Sequence, residues 1–128
     1  MCIDMQRRSL RGRVHDRMYE YFEENDLCTR FVQNTDFQKW MRGQDPEGDL
    51  RAKAMTDADA YEQLVVSVET FVEKYGWEPE LEKHCVSGVF QLLQEQGFLD
   101  KVERFRTFKV CRAALYYHLG MMVLDHAT

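Results

Sequence analysis

Residues that turn a chain sharply are scarce in this sequence: its 128 positions include two prolines and seven glycines. Small strand-rich domains spend many positions on tight turns, so the scarcity argues against them and favours helices. No apolar run approaches the roughly 20 residues that cross a bilayer, and the opening Met-Cys-Ile-Asp-Met lacks a basic stretch followed by an apolar one. No membrane contact and no export signal are therefore expected. Cysteine is equally sparse. Cys2, Cys28, Cys85 and Cys111 stand far apart with no C-x-x-C pair, and a chain of this size does not need disulfide staples. Free thiols, mostly buried, are expected, in a reducing cytoplasmic compartment.

What the sequence does contain is an ordinary globular mixture, 45% hydrophobic and 30% charged, and this places it outside the disordered regime. Apolar residues recur at steps of three and four, the beat of a helix with one buried stripe. Leu10, Val14, Met18, Tyr21 and Phe22 mark a first helix over about 5–24. Asn25 and Asp26 can end it, Asn34 can cap a short helix carrying Phe37, Trp40 and Met41, and Gly43 can stop that helix. The region 43–55 reads as a flexible loop. Thr56 then opens the strongest helix, through Leu64, Val68, Phe71 and Val72 to Gly76. Pro79 begins a partner helix running to Gly97, which predicts a helical hairpin. Asp100 caps a last helix that is apolar nearly all round from Ala113 to Leu124, a pattern that belongs at the centre of a core or in an interface. The predicted fold is all-α, a compact bundle of about five or six helices in a single domain over 1–128.

Charge is segregated. Residues 44–84 hold eleven acidic against four basic groups, a balance of −7, whereas residues 5–17 and 101–112 are each +4. Arg7, Arg8, Arg11, Arg104, Arg106, Lys109 and Arg112 are accordingly assigned to contact phosphates or an acidic partner. Trp40, Trp77, Tyr116 and Met122 are assigned as interface anchors.

Motifs for chemistry are thin. Structural zinc takes ligand pairs a few residues apart, and the close Cys/His pair here is His84-Cys85, whose side chains diverge by about 100° on a helix. No metal ligand, cofactor or small-molecule substrate is assigned. Glu80 and His84 suit a surface pair one turn apart. There is no G-x-S-x-G elbow, phosphate loop or dinucleotide fingerprint. Arg112-Ala-Ala-Leu-Tyr-Tyr-His118 has the arginine-then-histidine spacing of small helical ribonucleases of the HEPN type. That resemblance implies His118 as general acid or base and Arg112 on the scissile phosphate. Arg8 and His15 repeat a similar spacing, and Ala113 stands where the family has a polar residue.

Three functional readings follow in order. The first is a non-catalytic protein–protein interaction module, acting as an adaptor, a regulator or a small subunit of a larger complex, with a protein partner or self-association. The second is a helical small subunit of a nucleoprotein assembly that contacts RNA or DNA phosphates. The third is a HEPN-like ribonuclease.

Overall fold

The helix that is apolar nearly all round needs cover on most of its sides, and in the computed structural model of the chain it has that cover. The described residues are 10–26, 28–95 and 103–126, and among them every regular element is helical. Helix α1 (Leu10–Asn25) buries Val14, Met18 and Phe22. A π-helical turn at Cys28–Val32 buries Phe31 and Val32. Helix α2 (Thr35–Gly43) starts where the Asn34 side chain accepts the Phe37 N–H at 2.9 Å, as its cap residue predicts.

Between α2 and the next long helix lies α3 (Leu50–Ala54), inside the segment expected to be a loop. Leu50 and Ala54, one turn apart, are both buried, and Asp45 accepts the Leu50 N–H at 3.0 Å to start the turn. Residues 43–55 are therefore partly packed helix. The following helix, α4 (Ala58–Tyr75), is capped by Asp57, one residue past Thr56, with its carboxylate accepting from Asp59 and Ala60 at 2.8 and 3.3 Å. Gly76 ends it at φ 71, a left-handed conformation that costs a residue with Cβ more. Its N–H reaches the Glu73 carbonyl while the Trp77 N–H reaches Val72, the Schellman pattern. Next come α5 (Glu78–Leu81), a π-helical segment (Glu82–Val86) and α6 (Ser87–Glu95). The expected stop at Gly97 and cap at Asp100 lie outside the described residues. Helix α7 spans Glu103–His126.

Packing corrects the hairpin. Helices α4 and α6 do not lie principally along each other; each packs on α7, which also touches α1, α2, α3 and both π-helical segments. Cys111, Ala114, Leu115, Tyr116, Leu119, Val123 and Leu124 of α7 are buried within the chain itself. Its apolar composition is thus accounted for without a second copy. The neighbours of α7 run in opposite senses. Arg11 and Ala113 border one cavity, His15 meets His118, and Glu23 and Asp125 border another, so α1 is parallel to α7. Tyr61 stacks on Tyr117 at 4.8 Å while Val65 lies by Ala113, so α4 is antiparallel.

Helix α4 packs tightly on α7 at Gly120, where an added Cβ would stand 2.7 Å from Leu64 Cδ1 and 2.9 Å from Val68 Cγ2. Gly120→Ala is expected to destabilise by about 1–2 kcal/mol, overpacking outweighing the gain in helix propensity. Gly43→Ala, where nothing lies within 4 Å of the new methyl, is expected to be neutral or stabilising by about 0.5 kcal/mol. Denaturant melts of the two variants check the contrast.

Candidate functional site

Because α1 and α7 run side by side in the same direction, His15 and His118 arrive at the same level of the bundle. Nδ1 of His15 lies 3.2 Å from Nε2 of His118, and Nε2 of His15 lies 3.0 Å from the Tyr61 hydroxyl of α4. Each contact needs one donor and one acceptor, so the chain of hydrogens runs one of two ways. Either Tyr61 donates to His15 and His15 to His118, or His118 donates to His15 and His15 to Tyr61.

Aromatic rings enclose the pair. Tyr19 and Phe22 present edges to His118 with centroids 6.0 Å away, and Tyr117 lies 5.3 Å from His15. The Arg11 guanidinium sits 4.2 Å from the Tyr61 ring centroid, a cation–π contact at the rim. Burial lowers both histidines from 6.5 to about 4, helped at His15 by the charge of Arg11 and at His118 by repulsion from His15. Both rings are consequently neutral at pH 7. A cavity of about 550 Å³, bordered by Arg11, Asp57, Tyr61 and Tyr117, opens on the two histidines. A second, of about 390 Å³, is bordered by His15, Asp16, Tyr19, Glu20 and His118.

Of the residues singled out from sequence, Arg11 and His118 belong to this site and Arg112 does not. Six positions separate Arg112 from His118, placing them about 120° apart round the helix. Arg112 instead donates to Glu78 at 2.9 Å and to the Tyr116 hydroxyl at 3.3 Å. The arginine-then-histidine spacing therefore builds no joint pocket on α7. Arg106 and Lys109 are exposed on the first half of α7. Arg7 and Arg8 lie outside the described residues, as do the side chains of Arg104 and His84. Glu80, expected to pair with His84, forms an ion pair with Arg30.

The assigned anchors face inward to differing degrees. Trp40 covers the core and donates its indole N–H to the Ser67 carbonyl at 2.9 Å. Trp77 packs edge-on against Phe31, Phe37 and Phe71. Tyr116 is only 2% exposed, because it fills the chain's own core beside Arg112, and so offers no surface to a partner. Met122 is half-buried at the edge of a cavity with Tyr19 and Phe22.

Cys85 and Cys111 are free and buried, and burial pushes both thiols up to about 12, which leaves them inert as nucleophiles at neutral pH. Among the described residues no group of three or more His, Cys, Asp and Glu is placed to hold an ion, and no helix is long and apolar enough to cross a membrane. No protein-family model matches the sequence, and comparison with curated proteins and with solved structures gives no match.

The site's central pair escaped sequence reasoning because 103 positions separate its members. Only the parallel course of α1 and α7 brings them together. A histidine held neutral in the fold but free to protonate when unfolded contributes stability that is complete above about pH 6.5 and is lost as pH falls toward its folded value. Here that window is 6.5 down to about 4. Stability is expected to drop by roughly 2–4 kcal/mol across it. In the double variant His15→Asn/His118→Gln the slope should flatten between pH 6.5 and 4.5. Urea melts at stepped pH measure both slopes.

Proposed function

We propose that this chain is a helical interaction module, an adaptor, regulator or small subunit in a reducing intracellular compartment, which binds an acidic protein surface through basic residues of α1 and α7. The observation that carries the reading is the parallel packing of α1 on α7. It brings exposed Arg11 beside Ala113, one turn beyond exposed Lys109 and two turns beyond exposed Arg106 on the same side of α7. Arg112 pairs with Glu78. A surface of one sign steers a partner of the other and raises the association rate.

Phosphates are the second source of negative charge, and the same exposed Arg106 and Lys109 favour a nucleoprotein reading. Phe108 packs half-buried against Phe90, with centroids 6.1 Å apart. On that reading contact would fall on the phosphate backbone, with no base stacked on this ring.

Light scattering coupled to size-exclusion chromatography of the chain, purified from its native source at low and high salt, tests the proposal. A complex heavier than a monomer and free of nucleic acid is expected at low salt, weakened about tenfold or more by Arg106→Glu/Lys109→Glu. A strict monomer that retains no partner overturns it. A nucleic-acid-rich peak that strips at high salt replaces it with the second reading.

A further inference from the structure

The two facing histidine nitrogens have a separation with a second chemical meaning. Two imidazole nitrogens bound to one zinc ion at 2.0–2.1 Å with a tetrahedral angle stand about 3.3 Å apart, with ring centroids about 5 Å apart. Nδ1 of His15 and Nε2 of His118 are 3.2 Å apart, their centroids 5.2 Å, and their planes cross at 64°. The pair already has the bite of a two-imidazole ligand. An ion that takes the place of the shared hydrogen needs little movement of either helix.

We propose that His15 Nδ1 and His118 Nε2 form a binding site for a divalent transition-metal ion of the zinc type, whose remaining coordination positions open to the adjoining cavities. Two further features agree with it. Rearrangement of hydrogens is local: with the ion on Nδ1, His15 would carry its hydrogen on Nε2 and donate it to the Tyr61 hydroxyl 3.0 Å away, the outer contact that orients most metal-bound histidines. Access is provided from two sides, and the smaller cavity carries the carboxylates of Asp16 and Glu20 on its border.

No third His, Cys, Asp or Glu among the described residues stands close enough to complete the first shell. The ion therefore keeps open positions, the arrangement of a reactive or ligand-carrying zinc and not of a closed structural one. Arg11 at the rim opposes the cation itself but suits an anion carried on it. This inference is independent of the partner-binding reading above.

Zinc titration of the full chain in a non-chelating buffer at neutral pH, followed through the side-chain nitrogen resonances of its histidines, tests the site without any substitution. One equivalent of Zn²⁺ is expected to shift the His15 and His118 signals, with ligation at Nδ1 and Nε2 respectively, leaving His84 and His126 unchanged. Saturable binding should vanish in His15→Ala and in His118→Ala and weaken about tenfold in Tyr61→Phe. Shifts confined to His84 or His126, a thiolate charge-transfer band with Co²⁺, or no shift with excess Zn²⁺ overturns the proposal.

Discussion

Burial of the second half of α7 on most of its sides is the constraint from which the rest of the structure follows. From Ala113 to Leu124 the sequence of α7 offers almost no polar stripe, and water can be excluded from such a surface only by surrounding it. The other helices supply the cover, each turning one apolar face inward and leaving its charged face in solvent. Burying a single leucine or phenylalanine contributes about 1.5–3 kcal/mol, and Leu115, Leu119, Leu64, Phe71, Phe37 and Leu93 are all essentially inaccessible. The arrangement of chemistry is a by-product of that cover. His15 and Tyr61 sit at the flanks of α1 and α4, where amphipathic helices change from apolar to polar, and α7 brings His118 to the same margin.

Local features were legible in the sequence where the physics is local. Asn34 caps α2 because a side-chain acceptor three residues ahead of an N–H satisfies it regardless of the rest of the chain. Gly76 stops α4 for a similarly local reason, its backbone freedom. The shift of the α4 cap from Thr56 to Asp57 reflects two neighbouring residues able to do one job. Helix α3 was hidden because Leu50 and Ala54 make too short a period to read, and only burial shows that they matter. Which helices touch was not legible. A short link through Gly76 and Pro79 suggests a hairpin, yet α7 competes for the same apolar faces and takes them. The His15 pair with His118 depends on that competition, so it lies beyond any reading of spacing.

Charge tells a divided story. Acidic and basic stretches that look, in sequence, like complementary faces for two copies are joined within one chain through Arg112 with Glu78, and Arg30, outside both basic stretches, pairs with Glu80. Both pairs are about half solvated, and such pairs contribute well under about 1 kcal/mol each. Their effect is on register more than on stability: they hold the start of α5 against α7 and the first π-helical turn.

The central position of α7 also bears on how the molecule comes into being. Synthesis proceeds from the N-terminus, so α1 to α6 leave the ribosome before the helix they are built to enclose. Until α7 emerges, the faces carrying Met18, Phe22, Leu64 and Val68 have no permanent neighbour, and local helices of this length are marginal alone. The core can close only once contacts spanning most of the chain are made, such as that between positions 15 and 118. During that interval the nascent chain presents its apolar stripes to whatever is nearby.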